Sequence, residues 1–491
     1  MDNTCAVYQQ YYNNPQNKDK YMNIYAYGMP ACGRLKLQGQ YYQGVDYRTK
    51  EHYQVYKDCG FNLAFPVVTG NYANETWEDS KAKHVMNLCE QIDVKKVIIL
   101  DERLRLLSLQ KESLIGEGDI FTQDGKRAVM KKFKDEAALD AYVKERMSAY
   151  VNEPTFYGVQ LLDEPRIVVL KALGEVYRSI KRVYPQTFVQ VNLNPIFFRF
   201  SDVDFLHDYD YDDSLDFIGR YKAYVYEFLD RTGADYILTD RYPYHTGDGN
   251  DVYPYYFLNF QILSDIAAER NLRLQFVVQS YGGFINGGRA YRMPNAAEME
   301  MQIHTCLGFG IQEFAYYTYW ASALHEIRGE YRLSDESIVS AQGVPTQTYP
   351  VVQRLNAMIQ KLAPVIMNFK HVSDTYAAVS PMRSKPLHLQ FTRRGKLKMA
   401  EKFRVSHELG FVSEMYDEEK GQYLYVMQNI TSSLHCPDIG KQSLSIIFKG
   451  DVNKVDIFDG NEWHTEDLPD DKVFHTQLES GSAVYVMPYR A

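Results

Sequence analysis

The sequence predicts a (β/α)₈ TIM barrel followed by an antiparallel β-sandwich domain, and two patterns along the chain predict it. Up to about residue 370, eight short apolar runs alternate with segments of helical periodicity; from residue 371, short strands of period two are separated by turns. Strand–helix alternation is typical of a parallel sheet with right-handed crossovers, and eight repeats favour closure. A chain of 491 residues accommodates both domains, which we place at 1–370 and 371–491.

Each predicted barrel strand is an apolar run that ends in polar or aromatic residues. The eight runs are 21–28, 61–67, 95–101, 156–163, 187–195, 235–243, 273–282 and 311–320. The helical segments between and after them are 47–59, 77–92, 137–150, 168–184, 211–231, 257–270, 296–308 and 351–367. The charged segment 103–134 lacks strong apolar periodicity, and we expect it to form a loop over the barrel mouth.

The predicted sandwich strands show apolar residues at every second position. They are 387–394, 396–403, 410–417, 422–431, 443–450, 454–463 and 482–489. Asp459-Gly460 and Ser480-Gly481 are typical of the turns between such strands.

Composition excludes several classes of function. The net charge of −9 does not suit a nucleic-acid partner. The start of the chain lacks a signal-peptide pattern and no apolar run is long enough to cross a membrane, so we expect a cytoplasmic protein, or a secreted one if a leader was removed. The spacing of Cys and His predicts no metal site, and no nucleotide-binding motif or nucleophile elbow is present, so we expect no cofactor.

The run 156–166, FYGVQLLDEPR, places two acids directly after a predicted buried strand. Asp163 and Glu164 therefore lie at the carboxyl end of that strand, where parallel sheets bind ligands, and Pro165 ends the strand. Asp163 alone has an alternative role as the cap of the helix that begins near Arg166.

The carboxyl ends of the other strands supply acids, amides and aromatic side chains. The candidate substrate-binding residues are Tyr27, Asp101, Asn192, Asn194, Tyr242, Gln279, Tyr281, Tyr317, Tyr319 and Trp320. For Asp101 an ion pair at the start of a loop is the stronger alternative.

Two carboxyl groups facing one cleft suit hydrolysis of a glycosidic bond, in which one protonates the leaving oxygen and the other attacks the sugar or activates water. Glu164 is the candidate acid/base and Asp240 its partner, with Asp163 next in rank. A salt bridge to Arg241 or Arg166 is the structural alternative for Asp240. Amide side chains suit sugar hydroxyls, and Tyr319 with Trp320 suits stacking on a sugar face.

Five stretches carry a resemblance to a known family: YGVQLLDEP, ILTDRYPY, FAYYTYW, RLNAMIQKLAP and LESGSAVYVMPY. Together they resemble the (β/α)₈ glycoside hydrolases of the β-galactosidase-like type. The resemblance implies that Glu164 is the general acid/base.

In many members of that group a Glu nucleophile ends strand seven, where this chain has Gln279. Two alternatives stay open: the partner acid comes from another strand, or the barrel is a catalytically inactive carbohydrate-binding protein. The sugar, the linkage, the stereochemical outcome and the oligomeric state do not follow from the sequence.

Overall fold

The computed structural model describes residues 5–30, 32–37, 40–68, 77–196, 216–244, 255–285, 289–321, 325–327, 330–332, 337–378, 393–407, 409–431 and 440–490. The chain divides into two compact units. The smaller unit comprises residues 25–240 with 322–324, and the larger unit comprises 1–24, 241–321 and 325–491.

The elements of residues 23–240 are mainly short strands followed by amphipathic helices. The strands are β1 (Asn23–Ala26), β2 (Cys32–Leu37), β3 (Gln40–Asp46), β4 (Leu63–Val68), β5 (Lys96–Leu100), β6 (Asp119–Phe121), β7 (Ala128–Lys131), β8 (Phe156–Asp163), β9 (Phe188–Asn192) and β10 (Tyr236–Asp240). The helices are α1 (Lys50–Asp58), α2 (Lys81–Gln91), α3 (Glu102–Ser108), α4 (Glu136–Met147), α5 (Leu170–Val183) and α6 (Phe217–Thr232).

A parallel sheet with the order β4-β5-β8-β9 forms the centre of the smaller unit. β10 follows next to β9, because the Leu193 N–H donates to the Leu238 carbonyl at 2.8 Å and Leu193 bridges Thr239. Gly158 permits the close approach of β8 and β9, since a Cβ there would collide with the Phe188 carbonyl. The carboxyl ends of β8, β9 and β10 therefore meet at one edge.

The strand β8 has the bounds that the sequence predicts. Val159, Leu161 and Leu162 are buried, as expected when helices cover both faces of a parallel sheet. The prediction of alternating parallel strands and helices is confirmed in this unit.

The prediction of a loop over 103–134 is wrong. Glu102–Ser108 forms α3 with Leu104 and Leu107 on its buried side, and β6 pairs with β7 in an antiparallel hairpin. A seven-residue helix gives too few turns for periodicity to reveal it. The turn signal Asp124-Gly125 was present, with Gly125 at a φ of 70°.

The larger unit contains parallel and antiparallel strands. Its strands are β11 (Arg273–Gln279), β12 (Gly283–Ile285), β13 (Arg289–Tyr291), β14 (Ile311–Tyr317), β15 (His325–Ile327), β16 (Glu330–Arg332), β17 (Lys370–Ala378), β18 (Ala400–Val405), β19 (Leu409–Asp417), β20 (Gln422–Asn429), β21 (Lys441–Phe448), β22 (Lys454–Phe458), β23 (Trp463–Asp467), β24 (Val473–Glu479) and β25 (Ala483–Tyr489). Its helices are α7 (Tyr256–Arg270), α8 (Ala296–Gly308) and α9 (Thr348–Ile366), and β11 pairs with β14 in parallel.

Two antiparallel sheets follow α9 and share one apolar core. Their orders are β17-β19-β20-β25-β22-β23 and β18-β21-β24. Met427 of the first sheet and Ile446 and Phe474 of the second belong to the same buried cluster. β17 and β24 were not predicted, and the predicted run 454–463 is two strands. The predicted strand 387–394 lies mostly outside the described residues.

The molecule is therefore a mixed α/β protein in which parallel strands with helices precede antiparallel sheets. Among its described residues, no helix has both the length and the apolar character that a membrane span requires.

Candidate active site

The carboxyl ends of β8, β9 and β10 bring two acids to one amide group. Asp163 and Asn192 are register partners. The Asn192 Nδ2 donates to Asp163 Oδ1 at 2.9 Å and to Asp240 Oδ1 at 3.2 Å. One amide nitrogen therefore holds the carboxyl groups of Asp163 and Asp240 close to each other at this edge of the sheet.

The two acids differ in their exposure to solvent. Asp240 and Asn192 are buried, whereas the Asp163 side chain is exposed. Desolvation by the surrounding protein raises the pKa of Asp163, and hydrogen bonds from Asn192 and Tyr27 and the charge of Arg105 partly oppose that rise. Neighbouring protein atoms thus crowd the Asp163 carboxyl group although part of the residue reaches solvent, and a carboxyl group whose pKa is raised is suited to proton donation.

Tyr27 lies among the acids. Burial is the main cause that raises the pKa of its hydroxyl, and the negative charges of Asp163, Asp240 and Glu164 raise it further. The phenol therefore stays protonated, and all three carboxyl groups lie close enough to influence it.

Glu164 is held in an unusual backbone conformation. Its φ is +46°, which places a residue that has a Cβ in the left-handed region. Its N–H donates to the Asn192 carbonyl at 2.8 Å. Such conformations persist where the surroundings enforce them, and they cluster at functional sites.

The alternative role of Asp163 as a helix cap is not realised. The 3₁₀ turn Ile167–Val169 follows the acids, and its N-cap is Arg166. Asp163 is thus not engaged in capping that turn.

Asp101 has a structural role. Its carboxylate accepts hydrogen bonds from the N–H groups of Arg103 and Leu104 at the start of α3, from Arg146 Nε at 2.8 Å and from the Tyr150 hydroxyl at 2.9 Å. The side chain is 0% exposed. Asp101 therefore has the ion-pair role, with Arg146 as its partner, rather than a substrate-binding role.

Gln279, at the carboxyl end of β11, also has a structural role. Its Oε1 accepts from the Tyr244 N–H at 2.8 Å, and its Nε2 lies 2.9 to 3.1 Å from the carbonyls of Tyr244, Tyr281 and Arg292. Both amide hydrogens are used on backbone and the side chain is 0% exposed. Sequence reasoning assigned this amide to a sugar hydroxyl; the structure assigns it to the loops around it.

Aromatic rings follow β10 and β14 in the larger unit. Tyr242 stacks on Tyr317 at a centroid distance of 5.4 Å, and Tyr281 meets Tyr317 edge-on at the same distance. Tyr242, Tyr317 and Trp320 are partly exposed, whereas Tyr319 is 1% exposed. The buried Tyr319 therefore presents no ring face to a sugar.

Asn194 and Tyr224 contact the segment that carries the acids. Asn194 Nδ2 and the Tyr224 hydroxyl both donate to the Pro165 carbonyl. Sequence reasoning missed Tyr224, because its spacing from Tyr221, Val225 and Phe228 on α6 indicates only a buried helix face.

A cavity of about 250 Å³ lies in the larger unit at the amino ends of β11 and β14. Ser264 and His371 line it, with Ser264 Oγ 2.7 Å from His371 Nδ1. This contact attaches α7 to β17, so the polar side chains of Ser264 and His371 have a structural role in the cavity wall. Across the described chain, no group of three or more His, Cys, Asp or Glu side chains could hold a metal ion.

Comparisons with known proteins give a likeness of fold. No family model and no curated protein matches the sequence. A solved structure described as a glycoside hydrolase has 9% identity and a TM-score of 0.50, covering 90% of this chain and 89% of that chain. This chain therefore shares its fold with a glycoside hydrolase.

Two further solved structures are more distant. The FMN-binding β-glucuronidase from Facaelibacterium prausnitzii L2-6 has 11% identity and a TM-score of 0.37, with 94% of this chain and 53% of that chain covered. The cold-adapted β-galactosidase from Rahnella sp. R3 has 11% identity and a TM-score of 0.41, with 67% and 55% covered. The match spans about half the length of each enzyme.

Proposed function

We propose that the protein is a glycoside hydrolase acting on an oligosaccharide or glycoside through the carboxyl groups at the ends of β8 and β10. The observation that carries the proposal is the Asn192 amide, which joins Asp163 and Asp240 at 2.9 and 3.2 Å beside Glu164. The fold likeness to a glycoside hydrolase supports the same reaction class.

In the proposed reaction Glu164 protonates the glycosidic oxygen as the bond to the anomeric carbon breaks. If Asp240 attacks that carbon, a covalent glycosyl-enzyme forms, and the ionised Glu164 then takes a proton from the water that hydrolyses it. If Asp240 instead takes a proton from an attacking water, the sugar is released in a single step. Asp163 is the rival for the acid role, because its raised pKa favours the protonated form. Tyr242, Tyr317 and Trp320 are the proposed faces for sugar stacking.

We further propose that the eight predicted strands belong to one (β/α)₈ barrel over 1–370, and that 371–491 form a β-sandwich domain. The parallel order β4-β5-β8-β9, the parallel pair β11-β14 and the shared core of the two antiparallel sheets support this arrangement.

The test is hydrolysis of a panel of aryl glycosides by the wild type and by Glu164→Gln. We expect release of the aryl group by the wild type and a loss of roughly a hundredfold or more in the variant. Glu145→Gln, on the exposed face of α4, is the matched control and should keep full activity. Equal activity of Glu164→Gln and wild type would remove Glu164 from the mechanism.

A second candidate function is carbohydrate binding without hydrolysis. Gln279 ends β11, where many β-galactosidase-like hydrolases carry a Glu, and its amide makes hydrogen bonds to backbone groups. An amide in place of that acid favours binding without hydrolysis. Calorimetric titration with the same glycosides distinguishes the two functions, since a catalytically inactive protein would bind a glycoside that it does not cleave.

A further inference from the structure

The turn Asp163-Glu164-Pro165 is anchored on both sides of Glu164. On one side, the Glu164 N–H donates to the Asn192 carbonyl at 2.8 Å. On the other, the Pro165 carbonyl accepts from the Tyr224 hydroxyl at 2.9 Å and from Asn194 Nδ2 at 3.2 Å. The φ of +46° at Glu164 lies between these anchors.

The two donors to Pro165 are themselves joined. The Asn194 N–H donates to the Tyr224 hydroxyl oxygen at 3.3 Å, which closes a triangle of hydrogen bonds. Asn194 and Tyr224 are 8% and 7% exposed, and Pro165 is buried. Hydrogen bonds in such surroundings are stronger than in water, and their loss leaves a buried carbonyl with fewer donors.

We infer that Tyr224 and Asn194 are positioning residues that hold Glu164 in its left-handed conformation and so direct its carboxyl group. The inference rests on the proposed function, in which Glu164 is the acid/base. Left-handed backbone is unfavourable for a residue with a Cβ, so Glu164 leaves it when an anchor is removed. A catalytic group displaced by about 1 Å loses much of its rate while substrate binding is retained.

The first test measures kcat and KM of Tyr224→Phe on the aryl glycoside that the wild type hydrolyses best. We expect kcat to fall roughly tenfold with KM within about twofold of wild type. The matched control is Tyr184→Phe, which removes a tyrosine-to-carbonyl bond of 3.1 Å to Lys144 on the protein surface and should leave both constants unchanged. An unchanged kcat in Tyr224→Phe, or a rise in KM without a fall in kcat, overturns the inference.

The second test is a crystal structure of the double variant Tyr224→Phe with Asn194→Ala. We expect the Pro165 carbonyl to turn and the φ of Glu164 to leave the positive region. An unchanged Glu164 backbone in the double variant overturns the inference. A wild type that cleaves no glycoside defeats the proposed function alone, and the crystal structure still decides whether the two residues hold the turn.

Discussion

The strand ends of the smaller unit and the end of β11 in the larger unit use amides in opposite ways. Asn192 directs its amide hydrogens at two carboxylates, whereas Gln279 directs its own at backbone carbonyls. Asp163 near the first amide is exposed, while Gln279 has no exposed surface. Position at a strand end therefore does not make an amide functional; its hydrogen-bond partners do.

The largest effect should follow from removing the Gln279 amide. Gln279→Ala leaves the Tyr244 N–H and the carbonyls of Tyr281 and Arg292 without this buried partner, so we expect a loss of about 3 kcal/mol or more in the free energy of unfolding. Urea unfolding measures it. A loss below about 1 kcal/mol would mean that the amide does not hold these loops.

His304, also in the larger unit, predicts an acid sensitivity that the acids of the smaller unit do not share. Burial lowers its pKa from 6.5 to about 4, and its Nδ1 lies 2.8 Å from the Tyr485 hydroxyl. Below pH 6.5 His304 binds a proton in the unfolded chain but stays neutral in the folded chain, so the free energy of unfolding falls as the pH falls towards 4.

We expect the His304 contribution to fall by about 2 kcal/mol between pH 7.5 and 5. The measurement is the pH dependence of urea unfolding for wild type and His304→Gln. Identical slopes in the two proteins over this range would contradict the assignment.

Removing the shared donor should uncouple the two acids of the smaller unit. Asn192→Leu takes one N–H from Asp163 and one from Asp240, and loss of a donor to a carboxylate raises its pKa. We expect kcat/KM for an aryl glycoside to fall roughly tenfold, with the acidic limb of the pH profile moved to higher pH. An unaltered acidic limb would show that Asn192 does not tune these groups.

The smallest effect is expected for Asp163. Its substitution should increase the free energy of unfolding, whereas substitution of Gln279 should decrease it. Because the folded-state pKa is raised, the favourable contribution of Asp163 is present below pH 3.8 and is lost as the pH rises through the folded pKa. Asp163→Asn should therefore stabilise the protein at pH 7, by less than about 1 kcal/mol because solvent screens the exposed carboxylate.

The stabilisation by Asp163→Asn should vanish near pH 3.5, where both proteins carry a neutral group. Thermal unfolding at the two pH values measures it. Destabilisation at pH 7 would show that the ionised Asp163 supports the fold.

Much of the fold is visible in the sequence because burial leaves a periodic pattern. The bounds of β8 and α8 agree with the predicted runs 156–163 and 296–308, since both are long and strongly apolar. The sequence did not predict α3, because seven residues show too little periodicity. It did not predict β17, because most residues of this strand are only partly buried.

The sequence predicts which residues lie at the candidate site, but it does not predict which of them contact one another. The run LLDEP identifies Asp163 and Glu164 from the end of a strand. Hydrogen bonds between distant residues leave no spacing signal, so the Tyr224 bond to Pro165 and the four contacts of Gln279 appear only in the structure. Asn192 was assigned to the site, but its role as a bridge between two acids depends on register.

The most direct measurement compares kcat/KM of Asp240→Asn and Gln279→Glu with wild type on one aryl glycoside, corrected for the folded fraction of each protein. We predict a loss of roughly a hundredfold or more in Asp240→Asn and no gain in Gln279→Glu, whose carboxylate would face backbone carbonyls. Retention of activity within about threefold in Asp240→Asn, or a gain in Gln279→Glu, would contradict the assignment of chemistry to the ends of β8 and β10.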